Sequence, residues 1–379
     1  MSKIYDVAVI GLGTMGSLTC LELARRGAKV AGLDRFAPPH SFGSHSGETR
    51  VFRTAYAEHP DYVPLAVRSG ELWDRFGEEA GRPLLHRWGQ INIGAPDDGL
   101  IRGILESSRL HGIPVESFDA ARLKRHYPQI HPQPGEVGLL EPTAGWIDVD
   151  ASIHFALEAA RRAGAEIALC HPALGWTRAG AYRTIQTAEG EIVAERVIVT
   201  AGAWAGGLLP HLPLRVQRRV LVWVRPERSQ EFAPGRIPVF TAAEKFFYGF
   251  PASASGEVKI AVHWFDGDEL PHLEEVAAPS ERDLVPVLEV AARYLPGLAG
   301  PLPGALARVS RAKTCLYTMT PDEHFVVGVH PDDPAVSFAA GFSGHGFKFA
   351  PAIAEALSDL ALRGATALPI DFLSPRRFA

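Results

Sequence analysis

The amino-acid sequence predicts an α/β protein in which a domain built on parallel strands is joined to a domain built on an antiparallel sheet. Three observations support this prediction. A strand, a glycine-rich turn, a helix and a second strand follow one another at the N-terminus. Residues 212–276 alternate as antiparallel strands do, and a second glycine-rich loop precedes a helix near the C-terminus.

The N-terminal unit covers residues 6–34 and reads DVAVIGLGTMGSLTCLELARRGAKVAGLD. We predict strands at Val7–Ile10 and Lys29–Leu33, because both are short apolar runs. Leucines at helical spacing predict a helix over Thr14–Arg26. This succession is the βαβ unit that opens Rossmann-like nucleotide-binding domains.

The turn of this unit contains Gly11, Gly13 and Gly16 in a G-x-G-x-x-G pattern. These glycines permit a tight turn, a close approach of pyrophosphate and close packing of helix on strand, while the helix N-terminus offers N–H groups to phosphate. Asp34 follows where a carboxylate that accepts a ribose hydroxyl is expected. We therefore predict dinucleotide binding, and the motif alone does not separate NAD from FAD.

Composition narrows the class of protein. The chain has 38 Lys and Arg against 43 Asp and Glu, so its net charge is −5 and no nucleic-acid partner is expected. No apolar run reaches the roughly 18 residues of a membrane span, and no signal peptide is indicated. Three scattered cysteines are too few for a disulfide framework or a metal site and favour a reducing cytoplasm.

A long irregular segment, residues 35–56, follows the first unit and is rich in Pro, Gly, Ser and His. Loops of this length in compact domains are usually functional or disordered, and this one contains His45, Arg50 and Arg53. If the chain is helical from Glu48 onward, the two guanidinium groups share a face and repel each other unless an anion lies between them. A solvated basic turn is the equal alternative.

Helices and one returning strand are predicted in the centre of the chain. Apolar periodicity predicts helices at Tyr62–Gly81, Leu100–His111 and Ala151–Ala163, the last of them capped by Asp150. The apolar run Val197–Thr200 precedes small residues, as strands at ligand sites do. We therefore expect this strand to rejoin the nucleotide-binding domain.

Two strands are informative within the predicted antiparallel region. Alternation over Lys245–Phe250 puts three aromatic side chains on one face, where we expect them to pack a core: Phe246, Tyr248 and Phe250. Over Glu257–Phe265 the other strand carries Lys259 and His263 on one face. Its opposite face is apolar: Val258, Ile260, Val262 and Trp264. If the first face met water, Lys259 would be an ordinary solvated lysine.

The C-terminal third begins with a helix at Ser280, where Ser280 and Asp283 form a capping-box pattern, and this helix ends near Pro296. Two strands, a glycine-rich loop and a helix are then predicted at Phe325–Val329, Val336–Ala340, Gly341–Gly346 and Ala350–Arg363. A glycine-rich loop before a helix again predicts a helix N-terminus that faces a ligand.

Seven segments along the whole chain carry a family resemblance: GLGTMG, PPHSFGSHSGETR, GWIDVDA, VIVTAGAW, YGFP, KTCLYTMTPDEHF and GFSGHGFKF. Together they resemble the monomeric sarcosine oxidase and N-methyltryptophan oxidase family of flavoenzymes. The resemblance implies a Rossmann-like FAD-binding domain of the glutathione-reductase-like type and an antiparallel-sheet substrate domain. We assign residues 1–85, 142–211 and 311–379 to the first domain and residues 86–141 and 212–310 to the second.

The resemblance also implies FAD bound covalently through an 8α-S-cysteinyl bond, and Cys315 occupies the attachment position. A thiolate must attack the flavin, and nearby cations favour the thiolate. Arg308, Arg311 and Lys313 are close in sequence. Without the resemblance, Cys315 would be interpreted as a buried, inert cysteine.

By the same resemblance, the chain oxidises a small secondary amino acid by hydride transfer to flavin N5. O2 is reduced to H2O2, and the imine hydrolyses to formaldehyde and a primary amino acid. We expect the chain to be a cytoplasmic monomer with no membrane partner.

The resemblance assigns roles to individual residues. Arg53 and Lys348 hold the substrate carboxylate, Arg50 lies near the flavin, and Lys259 activates oxygen. Four further side chains are placed around the substrate and the flavin ring: His263, Tyr317, Tyr248 and His345. The residues assigned to the cofactor are His45, Gly344, Gly346, Gly11, Gly13, Gly16 and Asp34.

One departure and three alternatives accompany this interpretation. The loop reads GSHSGETR where the family often has GSHHGDTR, so Ser46 replaces a histidine near the flavin and Glu48 replaces an aspartate. A first alternative is an oxidase of a cyclic imino acid, a D-amino acid or glycine. A second is an NAD(P)-dependent dehydrogenase, which the GFSGHGFKF loop disfavours, and a third is a non-catalytic flavin-binding subunit.

Overall fold

A computed structural model describes residues 3–263, 269–270, 272–273 and 276–378 of the chain. The helices are α1 Thr14–Arg25, α2 Tyr62–Glu79, α3 Gly99–His111, α4 Ala120–His126, α5 Val149–Arg162, α6 Ala205–Leu208, α7 Glu281–Tyr294, α8 Gly304–Ala307 and α9 Ala350–Arg363. The strands are β1 Ile4–Ile10, β2 Val30–Leu33, β3 Thr49–Phe52, β4 Leu85–His86, β5 Gln90–Gly94, β6 Glu116–Asp119, β7 Val137–Glu141, β8 Gly145–Asp148, β9 Glu166–Ala168, β10 Ala173–Ala179, β11 Tyr182–Thr187, β12 Gly190–Val199, β13 Arg215–Val224, β14 Val239–Ala242, β15 Phe247–Gly249, β16 Val258–Val262, β17 Val309–Met319, β18 Val326–His330 and β19 Asp333–Ala340.

The first sheet has the strand order β10-β11-β12-β1-β2-β9, with β19 paired to β12 and β18 paired to β19. Its centre is parallel, since β1 lies between β2 and β12 in parallel register. The last four residues of β1 are fully buried, as expected for a strand covered on both faces. Helices α1, α5 and α9 pack together over one of these faces. This arrangement confirms the predicted nucleotide-binding unit.

The second sheet has the order β17-β13-β16-β15-β14-β5-β7-β6 and is antiparallel except where β14 pairs with β5. Helix α7 covers one face of it, and a core of buried apolar residues lies between them. Ser280 and Asp283 form the predicted capping box at the start of α7. A small third sheet, β3-β8-β4, completes the mixed α/β fold.

The polypeptide passes between the two large sheets several times. Strands β5 to β7 and β13 to β17 belong to the second sheet. The first sheet contains β1, β2, β9 to β12, β18 and β19, and the third contains β3, β4 and β8. The division into five segments stays a prediction. Its boundary at 310/311 falls inside β17, which pairs with β13 over residues 309–319.

Three local predictions were wrong. The segment after Glu48 is strand β3 rather than a helix, so Arg50 and Arg53 do not share a helical face. Helix α5 has Asp148 as its N-cap residue, and Asp150 lies in the first turn. The strand predicted from residue 245 begins only at Phe247, because the two residues before it adopt positive φ.

The shift in β15 changes which aromatic residue fills the core. Phe247 is fully buried against the core of the second sheet, whereas Tyr248 belongs to a separate cluster with Cys315 and Tyr317. Residues 264 and 265, predicted to continue β16, lie outside the described residues. Among the helices in the described part of the chain, none combines the length and apolar character needed to cross a membrane.

Candidate flavin and substrate site

A cavity of about 340 Å³ lies where the carboxyl ends of β1, β2 and β12 face strand β17. The predicted residues that line it are Gly11, Gly13, Asp34, His45, Arg50, Tyr317, Gly344 and Gly346. Ligands of open α/β sheets bind at the carboxyl ends of the strands. The position of the cavity is therefore the one that a dinucleotide requires.

The phosphate end of the cavity is built by the first glycine-rich turn. Gly11 has φ +93°, and a Cβ atom on Gly16 would lie 1.7 Å from the Gly11 carbonyl oxygen, so only glycine fits there. His45 lies across the cavity from Gly13. Its side chain accepts a hydrogen bond from His40 N at 3.0 Å. Burial lowers the pKa of His45 to about 3. His45 is therefore a neutral group beside the predicted pyrophosphate.

Asp34 is fixed at the end of β2 by two backbone amides. Leu12 N donates to one carboxylate oxygen at 2.6 Å, and Phe36 N donates to the other at 2.8 Å. Burial raises the pKa of this carboxyl group, and the two amides oppose the rise. Each carboxylate oxygen keeps a further lone pair, so Asp34 can still accept a ribose hydroxyl.

Cys315 is 1% exposed and lies beside Arg50. Its sulfur is 3.4 Å from Arg50 Nη2 and 3.4 Å from the carbonyl oxygen of Ser44, and both of these residues line the cavity. The sequence-based choice of neighbouring cations needs correction, because Arg308 pairs with Glu227 and Arg311 pairs with Glu48. Arg50 is the cation in contact with the thiol.

Lys259 is 4% exposed, so the interpretation as a solvated lysine is wrong. Its Nζ donates to the carbonyl oxygens of Gly47 at 2.8 Å and Thr49 at 2.6 Å, and it lies 4.1 Å from the centroid of the Phe250 ring. Burial first, and then Arg50, lower the pKa of this ammonium group. Lys259 is therefore held by the end of the loop before β3 and by the start of β3, the strand that carries Arg50.

A second group of cations lies behind the loop between β19 and α9. Arg53 pairs with Glu58 and lies 4.1 Å from the centroid of the Tyr56 ring. Its Nη1 atom is buried without a hydrogen-bond partner among the described residues. Lys348 Nζ donates to the His345 carbonyl oxygen at 2.7 Å and lies 3.4 Å from the Tyr56 hydroxyl. The pair can therefore receive an anion.

Charge around this pair is asymmetric. Burial acts to raise the pKa of Glu58, but Arg53 and other nearby cations outweigh it and lower that pKa to about 2. Burial lowers the pKa values of His263 and His345 to about 3, so both imidazoles are neutral near pH 7. Burial likewise lowers the pKa of Lys348. One carboxylate thus faces two cations.

Five aromatic or imidazole side chains lie near the two groups of cations. His345 Nδ1 lies 2.5 Å from the Tyr56 hydroxyl, and its Nε2 lies 3.0 Å from the Glu323 carbonyl oxygen. The Tyr317 ring lies 5.1 Å from the His263 ring and is hydrogen-bonded to Tyr248. The structure therefore brings the predicted catalytic and substrate-binding residues into one neighbourhood, and their roles stay predictions.

Sequence reasoning missed Tyr56, Glu58 and Glu323 at this site. The first two lie in the irregular segment after β3, where no periodicity marks them. Glu323 has φ +60°, a turn conformation that its sequence neighbours do not indicate. The only signal that could have drawn attention to Glu58 is its position five residues after a predicted substrate-binding arginine, Arg53.

The residues of the cavity fit FAD on structural grounds. The turn at Gly11 leaves room for pyrophosphate, and at Gly344, which has φ +81°, a Cβ atom would lie 2.2 Å from the Tyr317 ring. Fold and cavity together define a dinucleotide-binding oxidoreductase. The chain matches the FAD dependent oxidoreductase family over residues 6–360 and belongs to that family. This match favours FAD over the NAD(P) alternative.

The chain is similar over its whole length to characterised members. It is 36% identical to the monomeric sarcosine oxidase of Streptomyces avermitilis, covering 100% of this chain and 99% of the relative. It is 33% identical to the N-methyl-L-tryptophan oxidase of Salmonella agona, covering 94% and 95% of the two chains. The family resemblance inferred from the motifs is thereby confirmed, and the chain is an FAD-dependent oxidoreductase.

Solved structures share the fold at lower identity. NikD, an unusual amino acid oxidase, aligns with a TM-score of 0.85 at 24% identity over 99% of this chain and 98% of its own. L-proline dehydrogenase from P. horikoshii aligns with a TM-score of 0.84 at 23% identity over 100% and 98%. These likenesses confirm the α/β architecture.

Gly344 offers a direct test of how the glycine-rich loop shapes the cavity. A Cβ atom there would lie 2.2 Å from the Tyr317 ring and 2.7 Å from His263. Gly344→Ala should displace both side chains, since a packed site does not absorb such a contact. We expect a several-fold lower FAD content in the purified protein, measured from its visible absorbance.

Gly364→Ala is the matched control for this substitution. Gly364 has φ +78°, close to the +81° of Gly344, but a Cβ atom there meets nothing within 4 Å. It should therefore cost only about 1–2 kcal/mol of backbone strain and keep its FAD. Equal FAD content in the two variants would contradict the packing argument.

Proposed function

We propose that the chain is an oxidase of small secondary amino acids, of the sarcosine or N-methyltryptophan type. The observation that carries this proposal is the buried Arg53 Nη1 without a partner, next to Lys348. A planar guanidinium beside an ammonium group suits a carboxylate, which can bond both. We infer the secondary amine of the substrate from the names of the full-length relatives.

The site's own residues support this chemistry. Arg53 and Lys348 bind and orient the carboxylate, while neutral His263 and His345 lie beside it without repelling an amine. Bound FAD supplies the two-electron acceptor. Buried aromatic groups around Tyr317 exclude water from the space above the cavity.

In the net reaction, the N-methyl amino acid loses a C–H and an N–H hydrogen and becomes an imine. Water hydrolyses the imine to formaldehyde and a primary amino acid. O2 takes up the two electrons and two protons and leaves as H2O2.

We further propose that the enzyme acts as a cytoplasmic monomer, as the name of the sarcosine oxidase relative and the scarcity of cysteine suggest.

The substrate proposal is tested by anaerobic reduction of the flavin with a panel of amines. The panel contains sarcosine, N-methyl-L-tryptophan, L-proline, L-pipecolate, glycine and D-alanine. Arg53→Gln should weaken the binding of every effective substrate about 10- to 100-fold, because a charge-assisted hydrogen bond is lost. The readout is the dissociation constant from the dependence of the reduction rate on substrate concentration.

Arg68→Gln is the control for Arg53→Gln, because Arg68 is partly exposed on α2 and pairs with Glu355. It should leave substrate binding unchanged. If only the cyclic amines reduce the flavin, the chain is an imino acid oxidase. If only glycine or D-alanine reduces it, the chain is a glycine oxidase or a D-amino acid oxidase. Bound flavin that no amine reduces would indicate a non-catalytic subunit.

Covalent attachment of FAD at Cys315 forms the second part of the proposal. The contact of the Cys315 sulfur with Arg50 Nη2 supports this part of the proposal, because Arg50 lines the cavity that is proposed to hold FAD. Acid denaturation should leave the yellow colour with the polypeptide, and Cys315→Ser should release it into the supernatant. Cys170→Ser, at an exposed cysteine, should change nothing. Colour that stays in the supernatant with the unaltered chain would contradict the attachment.

Oxygen activation by Lys259 forms the third part. A fixed ammonium group in a site poor in water stabilises developing superoxide charge. Lys259→Met should slow reoxidation of the flavin about 100-fold or more and leave anaerobic reduction nearly unchanged, both measured by stopped-flow absorbance. Lys124→Met, at an exposed position on α4, serves as control. An equal loss in both half-reactions would exclude this role.

A further inference from the structure

Strand β13 carries two adjacent arginines that point to opposite faces of the second sheet. Arg218 faces α7, where Asp283 accepts hydrogen bonds from it at 2.8 and 3.0 Å. Arg219 lies on the other face, where it is in register with Cys315 on β17. That face carries the aromatic cluster around Tyr317. Arg219 is therefore on the side of the sheet that faces the cavity.

Arg219 differs from the other buried arginines in the described part of the chain. Arg53, Arg183 and Arg218 each pair with a carboxylate: Glu58, Asp333 and Asp283 respectively. Arg219 is 5% exposed and has no ion pair among the described residues. Its charge is desolvated and has no counter-ion within the described part of the chain, which is costly unless a ligand supplies one.

The hydrogen bonds of Arg219 leave part of its capacity free. Nε donates to the His263 carbonyl oxygen at 2.9 Å, Nη1 donates to the Arg218 carbonyl oxygen at 2.9 Å, and Nη2 donates to the Gln217 side-chain oxygen at 2.5 Å. All three acceptors are neutral. Because a guanidinium has five N–H groups, two remain available. The group is fixed in place and can still bind an anion.

Arg219 lies beside the residues proposed to surround the substrate. Its guanidinium carbon is 5.3 Å from the centroid of the Tyr317 ring, and Tyr317 lines the cavity. The positive charges of Arg219 and Arg53 both lower the pKa of His263, so both arginines are near that imidazole. Glu323 feels the charge of Arg219 but forms no ion pair with it in the described structure. Two cations, Arg219 and Arg53, thus lie near the space around Tyr317 and His263.

We propose that Arg219 binds a second carboxylate of the substrate, so that the preferred substrates are dicarboxylic secondary amino acids. The first carboxylate occupies Arg53 and Lys348, and the second meets the free N–H groups of Arg219. This inference rests on the proposed function, because it assumes that an amino acid binds at Arg53. Arg219 is then a specificity-determining residue that contacts the substrate and takes no part in the oxidation itself.

The experiment compares diacids with their isosteric amides, which differ in charge alone. Anaerobic reduction of the holoenzyme is measured with N-methyl-L-aspartate and N-methyl-L-glutamate against N-methyl-L-asparagine and N-methyl-L-glutamine. At least one diacid should bind about 10- to 100-fold more tightly than its amide, as expected for a charge-assisted pair. Equal or tighter binding of both amides would overturn the proposal.

Variants of Arg219 locate the source of the preference. Arg219→Gln should abolish the difference between diacid and amide while reduction by sarcosine continues, and Arg219→Lys should keep part of the difference. Arg215→Gln is the matched control, since Arg215 is an exposed arginine on the same strand and should leave the preference intact. Persistence of the full preference in Arg219→Gln would overturn the proposal.

A binding measurement separates this inference from the proposed function. Calorimetric titration of the holoenzyme with glutarate and with glutaramate needs no oxidation, and glutarate should bind more tightly by a similar factor. If sarcosine and the N-methyl diacids fail to reduce the flavin, the proposed function is wrong, and the titration still tests Arg219. If sarcosine reduces the flavin but glutarate shows no advantage, the inference about Arg219 alone is wrong.

Discussion

Burial of positive charge is the constraint on which the whole site depends. Lys259, Lys348, Arg53 and Arg219 are all nearly inaccessible to water. Removing such groups from water costs several kcal/mol each unless hydrogen bonds compensate. The two lysines are held by backbone carbonyl oxygens rather than by carboxylates. Carbonyl dipoles stabilise an ammonium group without neutralising it, so the site keeps an excess of positive charge that favours anionic ligands.

The same excess explains the state of the histidines. Burial lowers the pKa values of His45, His263 and His345 to about 3, and neighbouring cations act in the same direction at each of them. Neutral imidazoles can accept or donate a proton in a hydrogen bond without adding to the charge. The only carboxylate in direct contact with Arg53 among the described residues is Glu58. Near pH 7 the charges at this group are therefore those of lysine, arginine and Glu58, and the histidines add none.

Periodicity and glycine spacing predicted the elements that surround the site better than the side chains inside it. The βαβ unit, the capping box at Ser280 and helix α9 each depend on local patterns, and local patterns are legible in one sequence. Arg219 illustrates the limit. In the run QRRV, alternation shows that the two arginines face opposite sides. Which of them forms no ion pair among the described residues depends on Asp283, which is 65 residues from Arg218. Glu58 was missed for the same reason, because its significance comes only from its contact with Arg53.

The contacts of Cys315 have a consequence for the order of events in the life of the chain. Its sulfur touches Ser44 and Arg50, which are 271 and 265 residues distant in sequence. Ser44 lies in the segment between the first βαβ unit and β3, and Arg50 lies on β3, whereas Cys315 is on β17 and is positioned by its register with β13. The Cys315 sulfur reaches Ser44 and Arg50 only when the strands of both large sheets have paired, because loops of that length close late and at an entropic cost. The proposed attachment of FAD at Cys315 therefore requires a chain in which synthesis and the folding of both sheets are complete.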